Sequence, residues 1–146
     1  MTAVNVSAEI EIAAEPTDVA GVMFDPQREP EWMSAVKTVA LIDAGIKPGA
    51  RVRHAGTFVG QEVAWTTAVE SFHFPHALTL KVVDGPFTGT VSYSVQRSGA
   101  GSVARITNRG ESSALGFLPA SMIEGGMRKM LEGDLARLKG LIENGR

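Results

Sequence analysis

Three histidines, a single tyrosine and a few arginines in strand-like stretches are the side chains of this chain whose chemistry could go beyond packing. His54 stands between Arg53 and Ala55 and could act as a general base, since an imidazole titrates near neutral pH. The plainer reading, an outward or hydrogen-bonded histidine, is the favoured one. Tyr93 brings a hydroxyl to an apolar run, and a buried tyrosine usually needs a partner. It is the best single candidate for orienting a polar group of a ligand. His73 and His76 flank Phe74-Pro75. They could be metal ligands or an acid–base pair, but a zinc site wants three or four ligands, and no third histidine or cysteine stands near. A solvated turn is the better reading, and no metal site is assigned.

Arg51, Arg53, Arg105 and Arg109, with Glu70 and Glu111, fall in stretches that read as strand. By alternation Arg51, Arg53, Ala55 and Thr57 share one face, as do Arg105, Thr107, Arg109 and Glu111. Such rows can form a solvated face of ion pairs, each worth little. Arg53 could instead point inward and hold a carboxylate bidentately. An inward arginine would demand a counter-charge or a ligand.

The apolar candidates are more numerous. Trp32, Phe58, Trp65, Phe72, Phe87, Tyr93 and Phe117 must mostly be core. Trp65 shares its face with Val63, Thr67 and Val69, so it lies on a half-buried strand surface. Met122, Met127 and Met130 would offer adaptable walls to a guest, although methionines at helical spacing more often fill core. The candidate ligand contacts are Trp32, Arg53, Phe58, Trp65, Phe87, Tyr93, Phe117, Met122, Met127 and Met130, and His54 and Tyr93 are the candidates for any catalysis.

These residues need elements to position them. From Pro119 to Ile142, apolar residues fall at Ile123, Met127, Met130, Leu131, Leu135, Leu138, Leu141 and Ile142. Spacings of three and four place them on one stripe of a long helix. Glu124, Arg128, Lys129, Glu132, Arg137 and Lys139 take the other side. Gly125-Gly126 costs the helix about 1 kcal/mol per glycine relative to alanine. Either the helix approaches the sheet closely there or kinks, or it starts only near Met127.

Val4 to Ala13 alternates as a first strand. Pro16 suits the first turn of a short helix over 17–24, which Asp25-Pro26 ends. A second helical turn fits around Glu29-Pro30-Glu31-Trp32. Six strands follow, over 36–43, 51–59, 62–72, 77–83, 87–97 and 103–111, joined by turns rich in glycine and proline. The order is β-αα-β6-α, an α+β class: a curved seven-stranded antiparallel sheet around a long C-terminal helix. One helix on one face of a curved sheet tends to leave a space, which suggests a cavity for an apolar guest. Leu115–Pro119 is an apolar loop that could be a lid over that cavity or a patch covered by a second copy in a homodimer.

The chain has 146 residues, which fits one domain over 1–146. Its net charge is −2 and offers no basic excess for nucleic acid or anionic lipid. It has no cysteine, which removes disulfides, thiolate catalysis and thiolate metal ligation together. The N-terminus lacks the pattern of a signal peptide, and no apolar run is long enough for stable membrane insertion. A cytoplasmic protein is the expectation. No P-loop, dinucleotide-type glycine pattern or GxSxG occurs, so no cofactor is expected.

Three segments carry a family resemblance. Asp25-Pro26 through Glu31-Trp32-Met33 resembles a "D…P.W…" stretch, Asp84-Gly85-Pro86-Phe87 a Gly-Pro-Phe turn, and Leu135 to Glu143 a "dL..LK..lE" ending. Together with the order of elements, they resemble the polyketide cyclase/dehydrase and lipid-transport family of the START-like (SRPBCC) superfamily. That resemblance implies the helix-grip fold, with a deep cavity between sheet and C-terminal helix. It implies a lipid, sterol or polyketide-like guest, and places Trp32 in the small helices that guard the cavity mouth. A minority of such proteins are cyclases or dehydratases, so an enzyme acting on a polyketide-like substrate is the alternative. A dimeric regulatory or co-chaperone-like module is a second one. The superfamily shares no single catalytic motif, so the resemblance transfers a cavity rather than a reaction.

Overall fold

The computed structural model describes residues 2–58, 60–112 and 119–145. Strand β1 (Thr2–Ile12) leads into helix α1 (Pro16–Met23), a 3₁₀ turn (Pro26–Arg28) and helix α2 (Glu29–Trp32). Six strands follow: β2 (Val36–Leu41), β3 (Arg51–Phe58), β4 (Gln61–His73), β5 (Ala77–Asp84), β6 (Phe87–Ser98) and β7 (Gly101–Ser112). Helix α3 (Ala120–Asn144) ends the fold. This is the expected β-αα-β6-α order. Pro16 occupies the first turn of α1, and Asp25 caps the 3₁₀ turn by accepting from Gln27 N at 3.0 Å.

All seven strands form one curved antiparallel sheet in the order β1-β7-β6-β5-β4-β3-β2. The later strands meander, and β1 adds itself beyond β7. Period-two alternation explains which way each strand faces. Val6, Ala8 and Ile12 of β1 are buried, while the Ser7 hydroxyl lies on the other face, 2.8 Å from that of Thr107. On β6 and β7 two glycines stand opposite each other, Gly89 and Gly110. A Cβ on Gly89 would lie 2.0 Å from Arg109 O, and one on Gly110 would lie 2.0 Å from Thr88 O. Gly89 also has φ +133, so only glycine fits this tight point.

α3 lies most extensively against β1. Its buried residues are Ile123, Leu131, Asp134, Leu135, Leu138 and Ile142, and the one charged member was not expected. The helix runs unbroken through Gly125-Gly126. A Cβ on either glycine would meet nothing within 4 Å. Both the close-approach explanation and a start near Met127 are therefore overturned. Side chains of α3 also occupy the free edge of β1. Glu124 accepts from Asn5 N at 2.9 Å, Glu143 accepts from Ala13 N at 2.8 Å, and Lys139 Nζ donates to Glu11 O at 3.0 Å.

The solid core gathers where α1 and the C-terminal half of α3 meet the sheet. Val19, Met23, Phe24, Val95, Leu135 and Leu138 are all fully or almost fully buried there. Toward the N-terminal half of α3 the interior opens.

Candidate functional site

Between α3 and the sheet lies a cavity of about 340 Å³, partly open to solvent. Phe58, Trp65, Leu80, Phe87 and Val91 supply its sheet wall, and Ile123, Met127 and Met130 supply the helix wall. The strand residues face inward because each shares the buried parity of its strand. Trp65 is opposite His54 across β3 and β4, and its indole tilts against Phe87 with ring centroids 5.6 Å apart.

One part of the lining is polar. His54 is only 2% exposed, and its ring stacks on Trp65 at 5.2 Å and 9°. Nδ1 lies 2.8 Å from Glu29 Oε1 and Nε2 lies 2.9 Å from Thr67 Oγ1. With the Glu29 carboxylate accepting from Nδ1–H, Nε2 accepts from the Thr67 hydroxyl. The result is a carboxylate–imidazole–hydroxyl chain linking α2, β3 and β4. Glu29 itself is 3% exposed, carried inward by a single helical turn with Pro30 in its first positions.

Asp134, 1% exposed, enters the same lining from α3. Its Oδ1 accepts from Ser34 N at 3.0 Å and from the Arg137 guanidinium. Arg137 Nε also donates to Trp32 O at 3.1 Å, so α3 is tied to the end of α2. Tyr93, 3% exposed, completes the group. Its hydroxyl has one hydrogen bond among the described residues, donated to Met33 Sδ at 3.9 Å. Burial first, then the charges of Glu29 and Asp134, hold the phenol well above its ordinary value near 10. Tyr93 therefore keeps its proton and stands ready as a donor.

Of the residues singled out from sequence, His54, Phe58, Trp65, Phe87, Tyr93, Met127 and Met130 stand together around the cavity. Three do not. Trp32 is fully buried in the core behind Tyr93, whose ring it meets edge-on at 6.2 Å, and it does not reach the cavity wall. Arg53 faces outward, donating to Thr66 Oγ1 at 2.9 Å and Asp84 Oδ2 at 3.1 Å. The alternation that turns His54 inward turns its neighbour out. Met122 is 61% exposed, one residue off the buried stripe. Phe117 and residues 115–118 of the apolar loop lie outside the described residues. His76 Nδ1 donates to Val95 O at 3.3 Å. Among the described residues, no three histidines, aspartates or glutamates are grouped to hold a metal.

Glu29, Asn108 and Asp134 were not foreseen from sequence, and Thr67 was placed only on the half-buried face of Trp65. Asp134 could have been found: it is three residues after Leu131 and four before Leu138, squarely on the apolar stripe. Glu29 offered no such signal, because one helical turn has no measurable period.

Residues 3–143 match the model of the family described as polyketide cyclase / dehydrase and lipid transport. The chain belongs to that family. The fold agrees with solved relatives. A START superfamily protein from Mycobacterium smegmatis superposes with a TM-score of 0.85 at 19% identity, covering 97% of this chain and 99% of that one. The protein TTHA0849 from Thermus thermophilus gives 0.82 at 19% identity, over 97% and 98%. Ginseng major latex-like protein 151 from Panax ginseng gives 0.76 at 14% identity, over 97% and 99%. At these identities the likeness is one of fold. No curated protein matches the chain. No helix among the described residues is long and apolar enough to cross a membrane.

Proposed function

We propose that this chain binds a small or medium hydrophobic molecule in the cavity between the sheet and α3. The observation that carries this reading is the cavity itself, about 340 Å³ and walled mainly by apolar side chains. That volume is at the lower end of small-molecule sites, roughly 300–1,000 Å³. Affinity comes mostly from removing apolar surface from water, at about 25 cal/mol per Å². The flexible methionines of α3 let the wall adjust to the guest. Family membership supports the same reading, since the superfamily binds hydrophobic ligands.

A panel of fatty acids, fatty alcohols, fatty amines, sterols and aromatic polyketides tests it. At least one compound should bind by calorimetry and quench Trp65, measured in a Trp32→Phe background. Silence from the whole panel in calorimetry overturns the reading.

A second reading rests on the Glu29–His54–Thr67 chain. A hydroxyl, an imidazole and a carboxylate in hydrogen-bonded sequence can move a proton. With the protonated Tyr93 nearby, they could serve a cyclase or dehydratase acting on a polyketide-like substrate. Both ring nitrogens of His54 are already engaged, so the imidazole must release Thr67 to act as a base. Turnover of a poly-β-ketone thioester that survives both His54→Ala and Tyr93→Phe counts against this assignment.

A further inference from the structure

We infer that the guest carries a hydrogen-bond-donating head group, best a cationic amine, seated against Glu29, Asp134 and Tyr93, and that carboxylate-headed lipids are rejected. This rests on the cavity-binding reading and narrows it to a ligand class.

The lining is unbalanced in its polar groups. Among the described residues, Glu29 uses Oε1 toward His54, and Asp134 uses Oδ1 toward Ser34 and Arg137. Among those same residues, no hydrogen bond engages the second oxygen of either carboxylate. Higher on the wall, Asn108 Oδ1 is buried with no partner at all among them. Asn108 lies on the inward parity of β7, two residues beyond the cross-strand partner of Tyr93. An orphaned buried acceptor has lost its water without a replacement, and a bound donor would supply one.

Against these acceptors the lining offers few free donors: Asn108 Nδ2 already donates to Met127 Sδ at 3.7 Å, and the Trp32 indole N–H, buried without a partner among the described residues, lies outside the cavity lining. Tyr93 is almost wholly buried and has no nitrogen or oxygen partner among the described residues. Its hydroxyl can serve a guest both as donor and as acceptor. His54 has both nitrogens engaged. Arg137 is half exposed and approaches Asp134 from outside the cavity lining. By alternation on β7, Arg109 and Glu111 point away from Asn108 and Gly110 and belong to the rim. A carboxylate carried into the deep end would meet two carboxylates and no cation. An ammonium would meet two carboxylate oxygens and the Tyr93 oxygen.

Octylamine, octan-1-ol and octanoate share one tail and differ only in the head, so they isolate it. Calorimetry at neutral pH should rank octylamine first, octan-1-ol second and octanoate last. The outer two should differ by at least about tenfold in Kd, because like charges brought together are strongly disfavoured. Excess octan-1-ol should displace octylamine, which places both at one site, and quenching of Trp65 by both puts that site in the cavity. Asp134→Asn keeps an acceptor for Ser34 N and should narrow the amine–carboxylate gap, with thermal unfolding confirming the fold. Octanoate binding as tightly as octylamine overturns the inference while leaving the cavity reading intact. So does octylamine that octan-1-ol cannot displace. If none of the three binds while another compound of the wider panel does, this inference falls and the cavity reading stands; silence from the whole panel removes both.

Discussion

From Leu135 to Ile142 the inner face of α3 is packed, and Leu135 and Leu138 have no exposed surface. From Ile123 to Met130 the same face looks into the cavity. The residues change with the surroundings. Leucines, with well-defined rotamers, stand where neighbours fill the space, and methionines stand where they do not. A side chain beside a void forfeits dispersion contacts on that side. The helix tolerates this over its first half because its second half is anchored, and because Asp134 and Arg137 pin the middle to α2. Cavity and core are thus made by one element, and the boundary between them falls at Leu131–Asp134.

Truncation on each side of that boundary should separate the two halves most strongly. Leu135→Ala should cost roughly 3–5 kcal/mol in chemical denaturation, because the surrounding core cannot collapse into the hole. Met127→Ala should cost about 1 kcal/mol or less while changing ligand affinity. Equal losses would mean that the two halves do not differ. His54→Ala comes next. It leaves Glu29 and Thr67 buried without their partner, and roughly 2–3 kcal/mol should be lost. A neutral result would remove the polar chain as a tie between α2 and the sheet.

The alkaline limb sharpens the boundary further. The folded Tyr93 phenol keeps its proton at a pH where the unfolded one, titrating at about 10, has lost it. Stability is therefore fully present below about pH 10 and declines as pH rises from there toward the folded value. The decline is up to about 1.4 kcal/mol per pH unit. Tyr93 is the only tyrosine, so tyrosinate absorbance reports it alone. That absorbance should appear together with unfolding, and Tyr93→Phe should flatten the limb. Tyrosinate forming in the folded protein near pH 10 would contradict the buried position. The smallest effect is a gain. Gly125→Ala and Gly126→Ala should each stabilise by roughly 0.5–1 kcal/mol, since α3 is free to accept a methyl at both.

Much of the architecture could be read before any coordinates. The alternation of β1 and β6, the proline-led short helices and the stripe of α3 each repeat one period long enough to fix an element. The cavity walls followed where alternation was unambiguous, as at Trp65 and Phe87. What escaped was register and the direction of isolated residues. His54 and Arg53 are adjacent, so one had to face inward, and only the pairing of β3 with β4 decides which. Trp32 looked like a mouth residue by resemblance, yet its bulk completes the core behind Tyr93. Polar residues on buried stripes were read past: Asp134 has helical spacing as good as that of Leu131, but the stripe was drawn through apolar residues alone and left it on neither side.

The side chains that α3 lays along β1 have a consequence for self-association. An uncovered outer strand invites another chain to add to the sheet. Here Glu124, Lys139 and Glu143 already claim backbone groups of Asn5, Glu11 and Ala13. An incoming strand must first evict charged partners, so fibrillar stacking through this rim is discouraged by the same helix that roofs the pocket.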